Sequence, residues 1–209
     1  MSNLLGFAHR YVAGGPITLL ALHGTGGTED ALLPLARELA PRAGVLSPRG
    51  QVLERGMPRF FRRLSEGVFD HEDLVARTHD LSTFLKAAAE EYRFNPEQVF
   101  AVGFSNGANI AGSLLLLHPA DLRGALLFRP MVPFEPASPP DLRGRKVMVG
   151  AGRRDPLVTP AETERLVELL GRAGAEVVLR WSNGGHDLDP EEVRAAAQWL
   201  SANSVARTG

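Results

Sequence analysis

The chain contains no cysteine, and that absence removes disulfides, thiolate metal sites, iron–sulfur clusters and a Cys nucleophile. Lysine is nearly missing. Among 23 basic residues Lys86 and Lys146 are the only lysines, a skew that reads as genome composition rather than as a binding site. Neither sign of charge is in excess: 24 acidic residues against those 23 leave a net charge of −1. A nucleic-acid binder or a polybasic membrane protein would carry a positive footprint that this chain lacks. Apolar runs such as Leu114–Leu117 stop at four residues, far short of the ~20 that a membrane span needs. The N-terminal stretch has no basic start followed by an apolar segment, so no signal peptide is expected. No HExxH or similar ligand spacing occurs, and neither a metal nor another cofactor is expected.

What is present describes a folded chain. Apolar residues make up 44% and charged residues 22% of 209, average globular usage without a composition break, so one domain over residues 1–209 is expected. Short β-type runs alternate with longer helical patterns, the signature of an α/β fold with a mostly parallel sheet and helices on both faces. Seven strands are predicted: 7–13, 17–22, 44–47, 98–104, 124–128, 146–151 and 176–181. Gly14-Gly15-Pro16 joins the first two tightly, which makes the first antiparallel to the rest. Helices are predicted over 28–40, from the cap Asp70 to about Tyr92, and over 105–118, 159–173 and 190–201. Residues 49–69 are the least regular stretch, expected as a functional loop or a loop carrying a short helix.

The informative element is Gly103-Phe104-Ser105-Asn106-Gly107, a Gly-x-Ser-x-Gly pentapeptide between a predicted strand and a predicted helix. That setting is the nucleophile elbow, a sharp turn that lifts the serine hydroxyl above the carboxyl edge of a sheet. A hydroxyl needs a general base. Of six histidines, His186 lies in a loop directly after the last strand, at the edge where the elbow would sit. His9 falls inside a strand, His118 at a helix end, and His71 and His79 on a polar helix face. His23 precedes the glycine-rich loop His23-Gly24-Thr25-Gly26-Gly27 and reads as shaping it.

The base needs an acid to hold its tautomer. Asp155 follows the strand 146–151, again at the carboxyl edge, whereas Asp187 adjoins His186 and neighbouring loop side chains diverge. The order Ser105…Asp155…His186 is that of hydrolase-fold triads. An oxyanion hole requires two backbone N–H groups, and Asn106, after the nucleophile, with Thr25 in the glycine-rich loop are the candidates.

These motifs together resemble the phospholipase/carboxylesterase family of α/β-hydrolases, whose members include small bacterial carboxylesterases and acyl-protein thioesterases. The resemblance spans nearly the whole chain through Leu22 to Gly27, Pro48-Arg49-Gly50, Gly103 to Asn109, Gly152 to Pro156 and Gly185-His186. Gly-Phe-Ser-Asn-Gly-Ala-Asn looks most like the MhqD-like bacterial branch and departs from the Gly-x-Ser-Gln-Gly of acyl-protein thioesterases, which counts against protein depalmitoylation. The resemblance implies an α/β-hydrolase fold and the same five roles for Ser105, Asp155, His186, Thr25 and Asn106. The seven strands and their helices take up most of the 209 residues, so no lid domain is expected.

The function expected is therefore a cytoplasmic serine carboxylester hydrolase working through an acyl-enzyme on short to medium acyl esters. Thioesterase or other acyl-hydrolase chemistry uses the same triad, and a non-catalytic ligand-binding member of the fold is the alternative from another class. Substrate contacts are expected from His23, from Met57, Phe60 and Phe61 in the irregular stretch, and from Met131 and Val132 in the proline-rich segment 129–145. The expected partners are a small-molecule ester and, in a homodimer, a second copy of the chain; nucleic acid and membrane are not expected.

Overall fold

The computed structural model describes residues 2–204. Its main sheet has eight strands: β1 (Ser2–Leu4), β2 (Phe7–Val12), β3 (Thr18–Leu22), β4 (Gly44–Pro48), β9 (Val99–Phe104), β10 (Gly124–Phe128), β11 (Lys146–Gly152) and β12 (Glu176–Ser182). Two small hairpins, β5 (Val52–Glu54) with β6 (Met57–Arg59) and β7 (Arg63–Ser65) with β8 (Val68–Phe69), stand outside it. Five α-helices complete the fold: α1 (Leu33–Leu39), α2 (His71–Tyr92), α3 (Asn106–Leu117), α4 (Pro160–Arg172) and α5 (Pro190–Ser204). The sheet order is β1-β2-β4-β3-β9-β10-β11-β12, parallel from β4 onward.

Alternation along the strands explains the layers. Leu20, Leu22, Ala101, Leu127, Val147 and Val149 point to one face, where Leu74, Leu81, Ile110, Leu114 and Leu166 of α2, α3 and α4 cover them. Their neighbours Leu19, Ala21, Val102, Leu126 and Met148 point to the other, against Ala36 and Leu39 of α1 and Val193, Ala196 and Leu200 of α5. A strand with apolar residues on both faces must lie between helix layers. Among the described residues no helix is long and apolar enough to cross a membrane.

Four expectations are corrected. Ser2–Leu4 adds an eighth strand, antiparallel to β2. Strand β2 is antiparallel as expected, but it pairs with β4 and not with β3, so Gly14-Gly15-Pro16 does not close a hairpin. Helix α1 begins only at Leu33, with Pro34 in its first turn, where proline's missing N–H costs nothing. The stretch 49–69 holds two hairpins rather than a loop or a short helix. The Asp70 cap is present: its carboxylate accepts the Asp73 N–H at 3.1 Å.

Helix α3 lies almost against β3. A Cβ on Gly107 would stand 1.9 Å from the carbonyl oxygen of Leu22, and one on Gly103 would stand 2.5 Å from that of Gly107. Gly107→Ala should therefore cost about 1–3 kcal/mol or more. Gly171→Ala, where a Cβ meets nothing within 4 Å, should leave stability unchanged or raise it by about 0.4–1 kcal/mol. Urea unfolding of the two variants checks the contrast; equal effects would mean that α3 has room to move.

Candidate active site

Strand β3 turns to β4 on one side and the chain later returns to β9 on the other, so the order reverses between β3 and β9. Ligands of open α/β sheets bind outside the carboxyl ends at such a reversal. Leu22 of β3 is level with Gly103 of β9, which sets the loop His23–Gly27 beside Ser105. In the neighbouring strands Phe104, Phe128 and Gly150 are level. Ser105 and Arg129 therefore leave the sheet side by side, while β11 runs on to Gly152.

Ser105 sits in the turn at φ 51° and ψ −115°, a region that costs a non-glycine residue about 1–3 kcal/mol unless its surroundings hold it there. Its N–H donates to the Phe128 carbonyl at 2.9 Å and its carbonyl accepts from Asn109 N–H at 2.9 Å. So fixed, the Ser105 hydroxyl lies 3.0 Å from His186 Nε2, and His186 Nδ1 lies 2.8 Å from Asp155 Oδ2. A neutral imidazole protonated at Nδ1 satisfies both contacts, donating to the carboxylate and accepting from the hydroxyl. Asp155 is buried, and its other oxygen accepts N–H groups from Leu157 at 2.8 Å and Val158 at 3.2 Å. Asp187 is exposed and makes no side-chain contact with the imidazole. Among the described residues, no loop or side-chain acceptor takes the N–H of Thr25 or of Asn106.

The loop carrying His186 is gripped by Arg129, the first residue of the proline-rich segment 129–145. Its guanidinium is fully buried and pairs in bidentate fashion with buried Glu192 of α5, at 2.6 and 2.8 Å. It also donates to the carbonyls of Gly185, at 2.9 Å, and of Asp187. Those two residues flank His186. A lysine could not serve, because the fork must reach a carboxylate and two carbonyls from one plane.

An open cleft of about 320 Å³ lies over Ser105. Phe69, Phe104, Met131, Leu157 and Val158 give it apolar surface; Arg59, Arg63 and Asn109 give it polar surface. Of the residues expected to touch substrate, Met131 lines it. His23 does not: burial pushes its imidazole below the usual pKa, Gly50 N–H donates to Nε2 at 2.9 Å, and Nδ1 bonds the Gly24 carbonyl at 2.6 Å. It shapes the loop. Phe60 and Phe61 are buried in the core, because the hairpins turn their rings inward against the sheet face and Phe69. Met57 is exposed beside Gly26, and Val132 is drawn toward α4 by its N–H bond to Glu162 at 2.9 Å. None of these five lines the cleft. Among the described residues no three His, Asp or Glu side chains gather to hold a metal ion.

The model of the phospholipase/carboxylesterase family matches residues 17–204. The chain belongs to this family of α/β-hydrolases. MhqD of Bacillus subtilis, named as a hydrolase, is 52% identical over 181 residues, covering 87% of this chain and 90% of its own. A Bacillus cereus carboxylesterase superposes with a TM-score of 0.92 at 48% identity and covers 94% of each chain. A carboxylesterase from Mesorhizobium loti reaches a TM-score of 0.90 at 34% identity, covering 96% of this chain and 97% of its own.

Removing Arg129 would strand the Glu192 carboxylate in the interior. Arg129→Met should destabilise the protein by about 3–5 kcal/mol, whereas the double variant Arg129→Met/Glu192→Leu should recover much of that loss. Chemical denaturation of the three proteins checks this; a single variant as stable as wild type would show that the pair carries no such role.

Proposed function

We propose that the protein is a serine carboxylester hydrolase that works through an acyl-enzyme on short to medium acyl esters. The observation that carries this reading is the hydrogen-bonded chain Ser105–His186–Asp155, 3.0 and 2.8 Å long, at the mouth of a cleft. His186 Nε2 takes the hydroxyl proton as Ser105 Oγ attacks the ester carbonyl, and the imidazolium that forms is stabilised by Asp155. The negative charge that develops on the carbonyl oxygen is received by the N–H groups of Thr25 and Asn106, with the dipole of α3 behind the latter. His186 then returns its proton to the departing alcohol oxygen. The acyl group remains on Ser105 until a water, deprotonated by the same imidazole, releases it as a carboxylic acid.

Ser105→Ala should lower ester turnover by about 10⁴–10⁶ with the fold intact, the remainder coming from binding and the oxyanion donors. Asp155→Asn should cost roughly 10⁴ by freeing the wrong tautomer, while Asp187→Asn should stay near wild type. Steady-state rates on an aryl acetate, with circular dichroism as the fold control, decide both. More than a few per cent of activity left in Ser105→Ala, or equal losses in the two Asp variants, would sink the assignment.

The cleft lies at the small end of ligand pockets, which run from about 300 to 1,000 Å³. Each added acyl methylene should improve kcat/KM by up to about 0.8 kcal/mol while apolar wall remains, and specificity should then fall. A monotonic rise to palmitoyl esters, or a jump in rate at the micelle threshold, would rule out the short-chain reading.

A further inference from the structure

The polar lining of the cleft is rich in donors. Arg59 and Arg63, at the end of β6 and the start of β7, both front it. They share one carboxylate. Glu54 takes Arg63 Nε and Nη2 at 3.0 and 2.8 Å, and the same carboxylate lies 3.3 Å from Arg59 Nε. Arg59 spends its Nη1 on the Thr25 hydroxyl at 2.6 Å. Among the described residues, Arg59 Nη2 and Arg63 Nη1 have no acceptor.

Two amides repeat the pattern. Asn106 Oδ1 accepts the Phe60 N–H at 2.7 Å, and its buried Nδ2 has no partner. Asn109 Oδ1 accepts the Met131 N–H at 2.8 Å, and among the described residues its NH₂ group has no acceptor. The acceptor oxygen is consumed by the chain in both cases and the donor is left over. Arg129, the third guanidinium at the cleft, already has its charge met by the buried Glu192 carboxylate and spends two more N–H groups on the Gly185 and Asp187 carbonyls. One carboxylate, Glu66, also lines the cleft, but it is exposed, and water screens a rim charge far more than the charge of buried Arg59. Burial and the nearby Arg63 charge both press the Arg59 guanidinium to lose its proton, so an added anion would relieve it.

We propose that this cleft selects esters that carry a second, free carboxylate, half-esters of short dicarboxylic acids, with Arg59 and Arg63 holding that carboxylate while the hydrocarbon between lies on Phe69, Met131 and Leu157. A wall in which buried donors outnumber acceptors leaves N–H groups unpaired against a neutral acyl chain; a carboxylate supplies acceptors and countercharge together. The inference rests on the esterase reading and narrows its substrate class.

The test compares monoethyl succinate, glutarate and adipate with neutral ethyl esters of equal length, on wild type and Arg63→Met. Arg63 is chosen because it is half-buried, whereas Arg59 also anchors the Thr25 loop and its loss can disturb the fold. In wild type the best half-ester should exceed its neutral counterpart in kcat/KM by about ten- to a hundredfold. The advantage should lie in KM, shrink with added salt and collapse toward unity in Arg63→Met. A ratio at or below one in wild type, or a ratio that survives in the variant, overturns the proposal. Neutral esters still turned over, and Ser105 still labelled by an organophosphonate, would leave the esterase reading standing in that event. If no ester is turned over and Ser105 is not labelled, the esterase reading fails by itself. Calorimetry with glutarate against butyrate then decides the anion site: at least tenfold tighter glutarate binding, lost in Arg63→Met, supports it, and equal binding refutes it.

Discussion

The contact between α3 and β3 at Gly107 is the constraint on which the site depends. Because the helix starts within van der Waals touch of the Leu22 carbonyl, the chain leaving β9 has one residue in which to reverse, and Ser105 takes the left-handed turn that results. The backbone bonds from Ser105 to Phe128 and Asn109 lock the turn from the sheet and from the helix. Strain of this kind persists only where its surroundings overdetermine it. Here the ends of β3 and β10 and the first turn of α3 do so, and the strand ends also deliver neighbours of the turn: the Thr25 loop from β3, Arg129 from β10 and, one strand further, Asp155 from β11.

Much of this was legible in the sequence, and the reason is periodicity. Strands buried on both faces stand out as dense apolar runs, and a hydroxyl, a carboxylate and an imidazole each following such a run must meet at one edge. What escaped is what lacks length. Ser2–Leu4 and the hairpin strands span two or three residues, too few for alternation to register. Hence Phe60 and Phe61, expected as substrate contacts in an irregular stretch, are core residues. The clasp on the His186 loop escaped for another reason. Arg129 and Glu192 are 63 positions apart, and nothing local marks a buried arginine. The strand register does mark it in retrospect, since Arg129 leaves β10 level with Ser105.

Arg129 and His23 share a logic although they never meet. Each is a polar side chain buried beside the cleft, and each bonds loop backbone rather than solvent, Arg129 with the Glu192 carboxylate in addition. A buried polar group is costly unless paired. A loop that departs from its bonding position therefore leaves such a group bare, and that penalty holds the loop in place more firmly than apolar contact alone.

The two hairpins between β4 and α2 stand apart from the main sheet. Two-stranded ribbons of this length have little stability of their own. They are held by attachments: Asn106 to Phe60, Thr25 to Arg59, and Arg62 to Asp70 and Asp73. The hydroxyl, carboxylate and imidazole, by contrast, follow the carboxyl ends of three strands of the main sheet, β9, β11 and the edge strand β12. The main sheet thus carries Ser105, His186 and Asp155, while the ribbons bring Arg59, Arg63 and Phe69 to the cleft. Ribbon residues that bond nothing in the main sheet can be exchanged without shifting it, so a lineage built on this plan can alter the walls of its cleft while keeping the triad in place.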